Sequence, residues 1–231
     1  PLDKLGYSIF LYQVPARGQP SDLVLAGMQM DQLPQGHFAQ LGGNDIRPRW
    51  VDPQQAFIWP ADGQGWLALG TEQEFHPLLA PVAAASAPEM SIHDGVGLAR
   101  YNAPPFTEKE LARFSAGGAE VRLLDAAVQD QISSHVQLLS EWQMSDAERP
   151  LNIFVHAMDE DGRIVAQWDG LGAAWQGLQA GDTLYQAHDL SWSEAETAVP
   201  QKLLIGLYDP QTGARWQTAS GADAVEIPLE N

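Results

Sequence analysis

The sequence predicts a two-part α+β chain: a small α/β domain, then an antiparallel β-sandwich of about eight strands, Ig- or jelly-roll-like. Two hairpins and one change of pattern predict it. Residues 151–170, LNIFVHAMDEDGRIVAQWDG, alternate Ile153, Val155 and Ala157 on one face with Asn152, Phe154, His156 and Met158 on the other. That period of two is a strand. Asp159, Glu160, Asp161 and Gly162 supply turn chemistry before residues 164–168 run back. Apolar residues on both of its faces set this hairpin between layers. The pattern recurs at 203–216, LLIGLYDPQTGARW. After Glu120 helix signals nearly vanish, and two such hairpins need each other's buried faces.

In chain order, residues 5–14 are apolar and aromatic-rich, ambiguous between strand and helix. DLVLAGM at 22–28 reads as a buried strand, and LPQGHFAQLGG after it as a short helix ending at Gly42 and Gly43. Three short strands follow at 46–51, 55–59 and 65–70, with turns at Pro53-Gln54 and at 61–64. HPLLAPVAAA at 76–85 is helical, with Pro77 in the opening turn. A strand at 97–101 closes this part.

Domain boundaries are set at 1–105, a linker at 106–117, and 118–231 for the sandwich. Pro104-Pro105 breaks the preceding element, and Thr107 with Glu110 starts a short helix at 108–114. Gly117-Gly118 then releases the chain. Sandwich strands are expected at 121–129, 135–144, 152–158, 164–169, 183–190, 203–208, 214–218 and 224–229.

Charge excludes several partners. The net charge is −18, of which residues 1–117 carry −5 (7 Lys+Arg against 12 Asp+Glu) and residues 118–231 carry −13 (5 against 18). Phosphate backbones and anionic lipid heads are repelled, so nucleic acid is not expected. Cysteine is absent, which excludes disulfides and thiolate metal sites. No apolar run reaches the ~20 residues of a membrane helix. The opening residues carry no signal-type basic region or cleavage site, so the chain is expected to be soluble or a soluble portion of something longer.

No motif points to a cofactor or metal. Asp159 and Asp161 begin like a calcium loop, but later oxygen ligands are missing and the turn reading prevails. The glycines at 42–43, 63–65 and 95–97 form neither G-x-G-x-x-G nor a P-loop, and Gly27 alone cradles no phosphate. His37, His76, His93, His135 and His188 show no metal spacing. His156 could meet Asp169, with Asp209 nearby, as a base; without a nucleophile elbow, a hydrogen-bonded strand histidine is the commoner role. Tryptophan is the surplus: Trp142, Trp168, Trp175, Trp192 and Trp216 crowd the second part. Indoles beside Asp, Asn and Gln suit a sugar face. Trp175 and Trp192, in expected loops, are the candidate sugar platform, with core packing as the competing role.

The run LNIFVHAMDEDGRIVAQWDG, then GLQAGDTLYQAHDL, then KLLIGLYDPQTGARW, resembles the C-terminal extracytoplasmic region of bacterial multi-spanning membrane glycosyltransferases. Those enzymes are related to the dolichyl-phosphate-mannose–protein mannosyltransferases. IRPRWVDPQQAFIWPADGQGWLAL is similar to the strand pair that follows the last membrane helices there, and Leu178 stands where that family usually has Trp. The resemblance implies membrane helices ahead of this region and a catalytic acid in a segment not matched here. It implies a non-catalytic soluble domain on the extracytoplasmic face of the membrane, positioning a glycan, polyprenyl-linked sugar or protein acceptor. Its first partner would be the membrane-embedded portion of the same polypeptide. The alternatives are an independent secreted carbohydrate-binding module and a hydrolase using His156.

Overall fold

The computed structural model describes residues 3–5, 9–11, 20–41, 45–61, 63–102, 109–132, 134–145, 149–193 and 199–229. Strand accounts for 51% of the chain and helix for 9%, in several antiparallel sheets without a barrel, in keeping with the expected α+β, sandwich-like class.

A hairpin of β1 (Asp3–Leu5) and β2 (Ile9–Leu11) comes first. The first large sheet has five strands: β3 (Ser21–Ala26), β4 (Ile46–Val51), β6 (Trp66–Gly70), β7 (Met90–His93) and β8 (Val96–Arg100), in the order β4-β3-β6-β8-β7. β3 lies parallel to both neighbours. It is buried from Asp22 to Ala26, as its unbroken apolar run requires of a strand covered on both faces. One face, with Leu23, Leu25, Ala68 and Leu98, lies under α1 (Gln35–Phe38) and its flanking residues Leu33 and Leu41. The other meets α2 (Ala80–Ser86) through Leu67, Leu79 and Ala83.

The strand between β4 and β6 leaves this sheet. β5 (Ala56–Trp59) pairs antiparallel with β14 (Thr183–Ser191), and so becomes the edge of the six-stranded sandwich sheet. That sheet runs β16 (Gln217–Thr218), β9 (Ala112–Ala116), β10 (Ala119–Ile132), β11 (His135–Met144), β14, β5. Over it lies the four-stranded sheet β13 (Ile164–Gly170), β12 (Asn152–Met158), β15 (Lys202–Tyr208), β17 (Val225–Pro228). Val136, Leu138 and Trp142 from one sheet and Ile153, Val155, Ile205 and Leu207 from the other belong to one core, which continues through Phe57 and Trp59 to Val24, Leu67 and Tyr101.

The expected boundary at 106–117 therefore does not separate two cores. The sheet edge of the second part is a strand of the first, and Phe57, in ring contact with Tyr101 of its own part, meets Tyr185 ring to ring across the junction. The helix expected at 108–114 falls partly outside the described residues; where it is described, Ala112–Ala116 is β9, paired with β10. Local capping signals lose there to ladder hydrogen bonds that only β10 can supply. Residues 42–43, where α1's end was expected, lie outside the described residues.

The second hairpin also differs from expectation. After β15, Tyr208 bridges Arg215, but Trp216 then turns into the core and Gln217–Thr218 joins β9 in the facing sheet. The chain thus closes one end of the sandwich with a buried indole before β17 returns. The hairpin β12–β13 is not enclosed on both faces either. Ile153, Val155 and Ala157 face the other sheet, whereas Phe154 is buried on the outside beneath Arg215, whose guanidinium carbon stands 3.9 Å from the ring centroid. Gly206 makes room for that ring, since a Cβ there would lie 2.6 Å from Phe154.

Candidate functional site

A cleft of ≈ 870 Å³ opens at one end of the sandwich. One wall is the last stretch of β10, from Val128 to Ile132; the other is Pro228, Ile227, Val199 and Pro200, with Trp192 between them. A bulge between Val128 and Asp130 shifts the β10 register just before the strand ends at Ile132. Trp192 is anchored by its amide, which donates to the Ser134 carbonyl at 3.0 Å, and its half-buried indole packs on the main core. The amides of Gln129 and Gln131 and the carboxylate of Asp130 edge a lining that is otherwise apolar, with Ile132 57% and Val199 53% exposed.

Trp175 is not part of this cleft. It opens a 3-10 turn, Trp175–Gly177, that packs on β4, where a Cβ on Gly177 would meet the backbone of Pro48 and Arg49. This turn precedes the start of β14, and Trp192 follows its end. Nine strand residues separate the two places, roughly 25–30 Å. The two indoles therefore form no common platform, and Trp192 is the one of the pair that lines the 870 Å³ cleft.

The histidines divide by burial. His156 is half-buried; burial, then the Arg215 charge, lowers its pKa. The register sets it opposite Gln167, with Asp169 opposite Phe154. Asp209 accepts the amides of Gln211 and Thr212 in its own turn. No hydrogen bond joins His156 to a carboxylate among the described residues.

A closer approach to catalytic chemistry lies between the sheets, at residues that no local motif marks. The Ser140 hydroxyl stands 2.7 Å from His188 Nε2, and Trp142 Nε1 donates to Ser140 Oγ at 2.8 Å. Oγ also lies 3.4 Å from the Gln186 carbonyl, so the tautomer of His188 sets whether the hydroxyl proton goes to Nε2 or to that carbonyl. Burial pushes the His188 pKa down to about 3, so the ring is neutral. The pair resembles a nucleophile and its base. Yet both residues are fully buried, Nδ1 has no hydrogen-bond partner, and Trp168 stands edge-on 4.4 Å away. No substrate reaches it.

The third polar cluster ties the halves together. Arg49 Nε and Nη2 bind the Asp182 carboxylate at 2.6 and 2.9 Å, and Nη1 binds Asp22 at 2.5 Å. Burial alone would lower the Arg49 pKa, but hydrogen bonds to and the charges of Asp182 and Asp22 outweigh it and raise it. Its mark in the sequence is Arg49, the second arginine of IRPRWV, in an otherwise strand-like run.

At the surface, Asp189 accepts from Gln137 at 2.7 Å and lies 3.0 Å from His76 Nε2 and 3.6 Å from His135 Nε2. The Leu78 amide donates to His76 Nδ1, so the ring carries its proton on Nε2 and gives it to Asp189. That proton occupies the position a metal would need. No group of three His, Asp or Glu among the described residues could hold a metal ion.

No family model, no curated protein and no solved structure matches this chain. No described helix is long and apolar enough to cross a membrane.

Proposed function

We propose that the chain is a non-catalytic recognition domain that positions a neutral glycan acceptor, carried on the extracytoplasmic face by a membrane glycosyltransferase. The Trp192 cleft carries the reading. A half-buried indole offers a flat apolar face, and Gln129, Asp130 and Gln131 offer donors and acceptors at its rim, the combination that sugar hydroxyls and C–H faces require. The acidic surface, −18 overall, favours a neutral sugar over a phosphorylated or uronic one. The membrane context rests on the resemblance of roughly residues 20–229 to that family.

Calorimetric titration with neutral hexaoses of glucose, mannose and N-acetylglucosamine tests the binding. Saturable heat with at least one of them, lost in Trp192→Ala and kept in Trp175→Ala, is expected. Equal binding by Trp192→Ala, or none by the native chain, sinks the reading. In the full-length enzyme the same substitution should raise the acceptor KM and leave kcat unchanged.

A further inference from the structure

We infer that the free edge of β7 is a docking site for an extended, apolar segment with basic flanks, supplied by another protein. β7 is the outermost strand of the five-stranded sheet, and all four of its residues are exposed. Its loop is a two-residue turn, with positive φ at both Asp94 and Gly95 as a type I′ hairpin requires. The Thr71 amide and hydroxyl bind the Gly95 carbonyl at 2.8 and 3.0 Å, which fixes the hairpin to the end of β6.

The turn also determines which backbone groups are free. His93 and Val96 flank it and form the closing hydrogen-bonded pair; pairs alternate along an antiparallel ladder, so Ser91–Leu98 is bonded as well. The N–H and C=O of Met90 and Ile92 consequently point away from the sheet. Edge strands in native proteins are usually blunted by charge, proline or a bulge. MSIH has none of these, and Ile92 is 68% exposed.

Side chains beside the edge complete the site. Met90 and Ile92 stand opposite Ala99 and Gly97, on the face towards α2. Met90 lies back across Gly97, where any Cβ would collide with its sulfur. A groove of ≈ 360 Å³ opens there between Leu67, Leu69, Phe75, Ala83, Ala87 and Met90. An added strand would satisfy the Met90 and Ile92 backbone groups and lay alternate apolar side chains along this groove. Unbranched Met at the wall adapts to different residues.

Charge selects the occupant. Glu74 lines the groove, and Glu89 and Asp94 flank β7 at its two ends, all exposed; Asp94 Oδ2 lies 3.5 Å from His93 Nε2, and Arg100 is the exposed cation on the paired strand. A second copy would bring the same carboxylates against them, whereas basic flanks complement them.

The probe is a seven-residue peptide of alternating Val and Thr with Lys at each end, followed by amide chemical shifts of the intact chain. Saturable shifts confined to 89–99 are expected. They should weaken about tenfold or more in Ile92→Pro, which removes one outward N–H, and with a peptide whose Lys are replaced by Glu. Ile92→Lys, which keeps the backbone intact, should weaken binding too, and Trp192→Ala should leave it unchanged. Absence of shifts at millimolar peptide, indifference to these substitutions, or peptide-free self-association through β7 would overturn the proposal.

Discussion

Arg49 and Asp182 form a bidentate ion pair although 133 positions separate them. Asp182 also accepts the amides of Gln179 and Ala61, so its oxygens are fully used. The guanidinium is 1% exposed and the carboxylate 0%. This pair fastens β4 to the turn that starts β14, beside the place where β5 completes the six-stranded sheet.

Breaking the pair leaves an uncompensated buried charge. Asp182→Ala should cost about 3–5 kcal/mol, and Arg49→Ala a similar amount. Replacing Arg49 with Met together with Asp182→Leu and Asp22→Leu should cost less than either, because no buried charge is left unpaired; Arg47, which also binds Asp22 at 2.6 Å, is exposed to water. Urea denaturation of the set decides it; a triple variant weaker than both singles would contradict this account.

A core shared by both parts should make them one cooperative unit. Calorimetry of the intact chain should show a single transition, and residues 118–231 alone should be less stable, since β14 then loses its partner β5. Two well-separated transitions would restore the division at 106–117.

Phe154 should be sensitive despite its place outside the sandwich. Phe154→Ala should cost ~3–5 kcal/mol. Arg215→Ala should cost less, with a coupling to Phe154 of about 0.5–2 kcal/mol in a double-mutant cycle. Glu160→Ala, at an exposed turn, should stay within about 0.5 kcal/mol.

His188 links stability to pH. Its folded pKa lies near 3, below the ordinary 6.5, so the unfolded chain takes up the proton first. Its contribution is complete above about pH 6.5 and is lost as pH falls toward 3, roughly 3–5 kcal/mol over the whole window. Glu141 acts in the opposite sense: burial raises its pKa, which favours the fold at low pH and fades as pH rises. Melts of His188→Gln in a Glu141→Gln background should show a flatter acid limb than Glu141→Gln alone.

The acidic turn should ignore calcium. Asp159 is buried with Oδ1 accepting the Arg163 amide at 2.8 Å, and Asp161 pairs with Arg163 at 3.2 Å. Millimolar calcium should leave the thermal midpoint unchanged within a degree or so.

Local pattern alone determined β4, β11 and β12 to the residue, because alternation and turn chemistry act over a few neighbours. It also paired Trp175 with Trp192, which the fold sets at opposite ends of β14. Partner choice is a different matter. Nothing local in QAFIW says that β5 deserts its sequence neighbours for β14, and nothing in the TEKE charge spacing at 107–110 distinguishes β9 from a helix; the ladders with β14 and β16 join residues far apart along the chain. MSIH is too short for its period to register, so β7 was missed. Burial of Arg49, Asp182, Ser140 and His188 follows from the stacking of three sheets. Composition makes such residues look like surface; only tertiary packing supplies the partners that allow them inside.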